Sequence, residues 1–346
     1  MKEIRSMTLQ ELTHDLVEEG EKQFRAKQIF AWLHARQAKS FDEMSDLSLA
    51  LREKLKETYE LVTLEQIQVL VSALDGTRKY LFRLPDGHLI ESVFMKYRHG
   101  NSVCVSSQAG CRMGCRFCAS TLDGLARNLL PSEILEQVYQ IVRDTGEKIS
   151  NVVIMGSGEP MDNYENVLRF IRLLTDEKGY HMSQRNITLS TCGIVPGIRR
   201  LSEEGLPVTL ALSLHAVSDE ERRQLMPVAR KYPLQEVLAA CDAYFEKTGR
   251  RVSFEYSLVK GVNDSGEHAR RLAVLLKGKN CHVNLIPVNP IKERLFQSTS
   301  RAEAANFQLT LEKYGINATI RREMGRDIQG ACGQLRRDYA GASLSL

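Results

Sequence analysis

After Gly100 the chain falls into a rhythm that few folds can satisfy: a short apolar run, then a longer segment of helical periodicity, six times over. The strand-like runs are Ser102–Ser107, Asn151–Gly156, Asn186–Cys192, Pro207–His215, Arg251–Leu258 and His282–Val288. Helical segments follow at Ser132–Asp144, Tyr164–Thr175, Ile198–Glu204, Glu220–Met226 with Leu234–Lys247, Glu267–Lys277 and Ala302–Tyr314. Strands separated by a helix pair in parallel, because the connection must cross back over the sheet. The expected fold class is α/β, with helices packed outside a parallel sheet that is open or curled into a full or partial barrel. Ligands in such sheets sit at the carboxyl ends of the strands, so the residues just after each strand are the functional candidates.

The first hundred residues read differently. Helical patterns cover Thr8–Glu19, Gln23–Gln37 and Phe41–Tyr59. Strand-like runs at Gln66–Ser72, Arg78–Leu84 and His88–Tyr97 are separated by Asp75-Gly76 and Asp86-Gly87, which favour hairpin turns. The chain thus divides into a helical module over 1–62, an antiparallel β extension over 63–100, and a βα core with a C-terminal segment over 101–346. A last strand-like run, Ala318–Arg322, leads into that segment.

With 43% hydrophobic and 26% charged residues, the composition is that of a globular protein. No apolar run approaches the ~20 residues that span a bilayer, and the N-terminus lacks an apolar signal core. A cytoplasmic protein without membrane contact is expected. The net charge of +4 permits an anionic partner without requiring one.

Four of the eight cysteines, Cys104, Cys111, Cys115 and Cys118, fall within fifteen residues. In a cytosolic chain, clustered cysteines point to metal binding or catalysis before disulfides. Cys111, Cys115 and Cys118 form a C-x3-C-x2-C spacing just after the first strand of the βα series. Soft thiolates at this spacing select iron–sulfur, zinc or copper. Three ligands on a four-iron cube leave one iron open, whereas a structural zinc would want a fourth Cys or His close by, and none follows promptly. The next strand ends in Met155-Gly-Ser-Gly-Glu-Pro160, where glycines allow close approach and Glu159 offers an acceptor for an ammonium group. Ser190-Thr-Cys-Gly193, Ser213-Leu-His215 and Pro287-Val-Asn-Pro290 bring hydroxyl, imidazole and amide groups to the same mouth.

The cysteine motif, with Phe117 before its last cysteine, resembles that of the radical S-adenosylmethionine (SAM) superfamily. Further segments narrow the resemblance: Cys104-Val-Ser-Ser-Gln108, Gly156-Ser-Gly-Glu-Pro160, Leu189-Ser-Thr-Cys-Gly193, Leu212-Ser-Leu-His-Ala216, Leu225-Met-Pro-Val228, Leu285-Ile-Pro-Val-Asn-Pro290 and Asp327-Ile-Gln-Gly-Ala-Cys-Gly-Gln-Leu335. Together with Phe24-Arg-Ala-Lys-Gln-Ile-Phe-Ala-Trp32, they look like the RlmN/Cfr family of RNA adenosine methyltransferases, over roughly Leu9 to Leu335. The resemblance implies a partial (β/α)6 barrel with a helical accessory domain. It implies a [4Fe-4S] cluster on Cys111, Cys115 and Cys118, and SAM contacts at Gly158, Glu159, Ser190, Ser213, Leu214, His215 and Asn289.

It also implies two SAM molecules per turnover. Cys332 would take a methyl group from the first, as a thiolate can. The second would be cleaved to a 5′-deoxyadenosyl radical, which activates that methyl for addition to an adenine carbon. Cys104 would then resolve the protein–RNA adduct by a transient disulfide with Cys332. Glu91 matches the family's proton acceptor; read as a residue alone, it belongs on a solvated strand face. The implied partners are 23S rRNA, tRNA and a reductant such as flavodoxin or ferredoxin, acting on a monomer. Pro160, where Cfr-type chains carry alanine, favours carbon 2 of adenosine over the Cfr-type carbon 8. Ser157 departs from the larger aliphatic residue usual in RlmN chains. The competing reading from another class is a non-catalytic RNA-binding protein built around zinc. The arginine pairs, Arg222-Arg223 among them, read as solvated helix faces or phosphate contacts.

Overall fold

The computed structural model describes residues 1–290, 295–328, 335 and 339. The N-terminal module begins with β1 (Lys2–Glu3) and continues through α1 (Leu9–Glu18), α2 (Gln23–Phe30) and α3 (Leu49–Thr58) to β2 (Tyr59–Glu60), which pairs in parallel with β1. Thr8 starts α1 with a reciprocal cap: its Oγ1 accepts from the Glu11 N–H, and Glu11 accepts from the Thr8 N–H. The periodicity over Gln23–Gln37 is only partly α-helical, because α2 widens into a π turn at Ala31–Ala35. The expected helix over Phe41–Tyr59 is also interrupted. Ser48 caps a fresh start, its Oγ accepting from the Leu51 N–H, so only Leu49–Thr58 is α-helical.

The ribbon strands β3 (Glu65–Val71), β4 (Arg78–Arg83) and β5 (Leu89–Tyr97) turn at Gly76 and Gly87, whose positive φ angles of 70° and 89° suit glycine. β5 pairs antiparallel with β6 (Gly100–Cys104), the first strand of the parallel series, so ribbon and core share one sheet. A short hairpin follows, β7 (Gln108–Gly110) with β8 (Leu125–Asn128), and then α4 (Pro131–Thr145). The series continues through β9 (Ile149–Ile154), α5 (Tyr164–Thr175), β10 (Ile187–Thr191), α6 (Val195–Glu203), β11 (Thr209–Ser213), α7 (Asp219–Leu225), α8 (Leu234–Thr248), β12 (Val252–Leu258), α9 (Gly266–Leu276), β13 (Cys281–Pro287), α10 (Arg301–Lys313) and β14 (Ala318–Ile320). Among the described residues the sheet has ten strands in the order β14-β13-β12-β11-β10-β9-β6-β5-β4-β3, parallel from β14 to β6 and antiparallel beyond. β14 and β3 are its two edges, so the barrel is partial.

Strand register separates two faces. Phe94, Val103, Val152, Leu189, Leu210, Phe254 and Val283 point outward and join helix residues such as Leu135, Phe170, Ile198, Val237 and Phe307 in one apolar core. Residues one position out of phase line the other face. They run from Lys79 on β4 and Glu91 on β5 through Cys104, Ser190 and Ser213 to Glu255 on β12 and Asn284 on β13. That face is rich in polar side chains where the helix-covered face is apolar. The N-terminal module docks on α4 through buried Arg5, which donates to the carbonyls of Val62 (2.8 Å) and Ala38 (2.5 Å) and pairs with buried Glu136.

Candidate active site

The cysteine loop hangs between β7 and β8, a hairpin too short to register as strands in the sequence. Gly110 is obligatory there. Its φ is 80°, and a Cβ would lie 2.1 Å from the Gly124 carbonyl oxygen. The loop is tied inward by the Cys111 N–H to the Gly124 carbonyl (2.8 Å) and the Cys118 N–H to the Cys115 carbonyl (3.1 Å). Thr121 Oγ1 donates to both the Cys115 and Cys118 carbonyls at 3.0 Å. Burial pushes the Cys111 thiol up to about 12 and Cys115 well above its usual range, with the charges of the neighbouring cysteines adding to the shift. A strongly electropositive group bound at these sulfurs is what would hold all three as thiolates. Among the described residues no set of three or more His, Cys, Asp and Glu side chains closes around a single ion. Three soft donors on one loop suit three corners of an iron–sulfur cube, whose ligands sit on separate irons.

The loop after β9 lies against this hairpin. Gly156 and Gly158 are needed for that contact. A Cβ on either would fall within 3.0 Å of residues 105–108, at 2.6 Å from the Gln108 Cβ in the case of Gly158. The close approach they permit is thus to the protein's own chain. Gln108 holds the contact, accepting from the Glu159 N–H (2.8 Å) and donating to Asp162 (2.9 Å). Ser157 is buried with its Oγ 3.0 Å from that of Ser120, so the residue unusual for the family meets a small polar neighbour. Buried Glu159 accepts from Thr191 Oγ1 (2.7 Å) and from the Cys192 (2.8 Å) and Met161 (3.1 Å) N–H groups. Burial raises its pKa and those donors oppose the rise.

The other strand ends differ in what they present. Ser190 and Ser213 are partly exposed on the polar face. Leu214 is not a side-chain candidate: it is in the apolar core, its N–H donates to the Glu255 carbonyl (3.0 Å), and its carbonyl accepts from Arg222 (3.3 Å). His215 adopts a left-handed φ of 57°, and its Nδ1 accepts from the Ser257 N–H (2.9 Å). The ring proton therefore resides on Nε2. Burial, helped by the charge of Arg222, lowers the His215 pKa to about 3, so the ring is neutral. Phe117 from the cysteine loop meets it edge-on at 4.8 Å. Asn289 is exposed beyond β13.

Glu91 is not a solvated strand residue. It is 2% exposed, and Lys79 Nζ lies 3.2 Å from its Oε2. β5 is the third strand counted from the ribbon's outer edge at β3, but Glu91 faces the enclosed polar side, which alternation alone does not reveal. Cys104 is buried on the same face with Val93, Met95, Val153 and Met324 around it. Met324 lies in the segment leading toward Cys332, which itself lies outside the described residues. That segment is anchored on the ribbon: Asp327 accepts from Ser72 Oγ (2.6 Å) and the Ala73 N–H (2.9 Å), and farther along Arg83 donates to Tyr339 Oη (3.5 Å). Arg222, expected on a solvated helix face, is fully buried beneath the ends of β10 and β11. Nothing in its local pattern distinguished it from Arg223. Gln108 and Thr191, by contrast, belong to the motifs quoted for the resemblance.

Residues 105–273 match the model of the radical SAM superfamily, and residues 2–61 match that of the ribosomal RNA large subunit methyltransferase N-terminal domain. The probable dual-specificity RNA methyltransferase RlmN of Lachnospira eligens is 61% identical, covering 98% of this chain and 97% of that one. Its namesake in Clostridium perfringens is 55% identical, covering 98% of each chain. A radical SAM methyltransferase of known structure from Sphaerobacter thermophilus superposes with a TM-score of 0.93 at 44% identity, covering 96% of this chain and 99% of the other. Matched along nearly its whole length, the chain belongs to the RlmN family of radical SAM RNA methyltransferases.

Proposed function

We infer that the protein methylates carbon 2 of an adenosine in 23S rRNA and in tRNA, using two SAM molecules per turnover and a methyl group carried on Cys332. The observation that carries this reading is the polar face of the sheet. Glu91 and Cys104 share it, and two described residues that flank Cys332 in the sequence, Asp327 and Tyr339, contact the ribbon. A radical generator alone needs none of these three groups.

Cys111, Cys115 and Cys118 would hold a [4Fe-4S] cluster, which when bound supplies the electron that cleaves SAM to a 5′-deoxyadenosyl radical. The protein's own work is positioning. Glu159 suits the methionyl ammonium, Gly158 lets its loop lie close, and Ser190, Ser213, His215 Nε2–H and Asn289 offer partners for ribose and carboxylate. Leu214 offers only its backbone carbonyl. Cys332 takes a methyl group by displacement at SAM. The Cys332 methyl would give one hydrogen to the 5′-deoxyadenosyl radical and its carbon would bond to the adenine carbon, with Glu91 accepting the proton lost from that carbon and the one electron left over returning to the oxidised cluster. Cys104 attacks the Cys332 sulfur, a disulfide forms as the carbon–sulfur bond breaks, and the methylated RNA leaves. An external thiol reduces the disulfide.

The helical module over 1–62 supplies RNA contacts, and the target base is taken out of its stack into the mouth. Among the described residues no helix is long and apolar enough to cross a membrane. The working form is a cytoplasmic monomer served by flavodoxin or ferredoxin.

Mass spectrometry of RNA from a strain lacking the gene tests the assignment. Loss of 2-methyladenosine is expected. Its persistence would refute the reading, and loss of 8-methyladenosine instead would reassign the target carbon. Cys332→Ala should yield no product, while Cys104→Ala should accumulate RNA-crosslinked protein.

A further inference from the structure

Arg222 on α7 has no solvent exposure. Its Nη2 donates to the carbonyls of Cys192 (2.6 Å) and Ser213 (3.3 Å), and its Nε to that of Leu214 (3.3 Å). The guanidinium thus ties together the ends of β10 and β11. A Cβ at residue 193 would lie 3.1 Å from Nη2, so Gly193 leaves it room. The remaining nitrogen, Nη1, is buried and has no partner among the described residues. No carboxylate of those residues lies in ion-pair range. A buried cation normally has a counter-charge, and a buried donor normally has an acceptor.

What lies beside this guanidinium is the cysteine loop. The Arg116 N–H donates to the Leu225 carbonyl, one turn beyond Arg222, at 2.9 Å. Cys115 packs in the cluster formed by Cys192, Leu225 and Met226. Thiolate and sulfide sulfurs accept N–H donors, and such bonds together with nearby positive charge raise the reduction potential of an iron–sulfur centre.

We propose that Arg222 is a positioning residue and the charge partner of the cluster, with Nη1–H directed at a sulfur on its Cys115 side. The inference rests on the reading of Cys111, Cys115 and Cys118 as the cluster ligands. The same side chain then couples the cluster to the strand ends that carry Ser190 and Ser213, so its loss affects redox poise and cofactor binding together.

The test uses the reconstituted holoenzyme. In an Arg222→Met variant loaded with the same iron as wild type, the midpoint in an EPR-monitored redox titration should shift to lower potential, and Arg222→Lys should recover most of the shift. An unchanged midpoint in iron-loaded Arg222→Met overturns the proposal. If that variant does not fold or does not load iron, pulsed EPR decides without touching Arg222. Protein grown with 15N-arginine, carrying Arg112→Lys and Arg116→Lys at the two exposed arginines of the loop, should show a guanidinium nitrogen coupling on the reduced cluster. No coupling there also overturns the proposal. Iron retained after all three loop cysteines are replaced by alanine would instead defeat the ligand reading beneath it.

Discussion

At Glu159 both carboxylate oxygens are already engaged by the protein, Oε1 by Thr191 and Met161 and Oε2 by Cys192. Those bonds fix the carboxylate before any ligand arrives, and burial makes its charge costly until a cation is bound. Glu159→Gln keeps the volume but loses the charge. Hydrogen bonds to charged groups contribute about 1.5–3 kcal/mol, so SAM affinity should fall about ten- to a hundred-fold in equilibrium dialysis. Unaltered affinity would remove Glu159 from the pocket. Its candidacy was legible because it follows glycines at a strand end and because that loop matches the family resemblance. The burial of Glu91 and Arg222 was not legible, since burial of a charge depends on which face and which neighbours the tertiary fold supplies.

Within one shared apolar core, a few buried polar groups tie particular elements together. Arg5 links the N-terminal module to α4 by its pairing with Glu136, both side chains being wholly inaccessible. Removing one partner leaves a buried charge, so Arg5→Met should cost about 3–5 kcal/mol in urea unfolding; Arg143 also pairs with Glu136, which favours the lower end. His34, in the π turn of the same module, is held neutral by burial with its pKa lowered to about 3, as is His215. The unfolded chain protonates these rings below about pH 6.5, whereas the folded one resists until about pH 3. Stability should therefore fall as pH drops through that window, by about 2 kcal/mol per ring between pH 7 and pH 5. His34→Gln should flatten that slope in urea midpoints, and an unchanged slope would contradict the assignment. The six βα units were readable because their periodicity alternates over long segments. The β7–β8 hairpin was not, because three- and four-residue strands around a glycine carry no period, and a single π turn at Ala31–Ala35 is too short to change the helical period around it.

Across the whole molecule, the ribbon and the parallel strands form one sheet, and the C-terminal segment returns from β14 to that ribbon. Asp327 is the described anchor nearest to Cys332 in sequence. Asp327→Ala should leave iron content unchanged and slow RNA methylation about ten-fold or more, a loss of about 1.4 kcal/mol in the barrier. A full rate in single-turnover assays would show that the anchor does not matter. The two faces of the sheet carry different duties. The main apolar core lies on one side, where Phe94, Val152, Leu210 and Phe254 meet the helices, while the opposite wall carries the polar groups together with a small cluster around Cys104. The partly exposed residues of that working wall, Ser190 and Ser213 among them, are accordingly open to change at smaller cost in folding than the buried Lys79–Glu91 pair beside them, and a lineage re-tooling the chamber for another nucleobase position has room there without rebuilding the house around it.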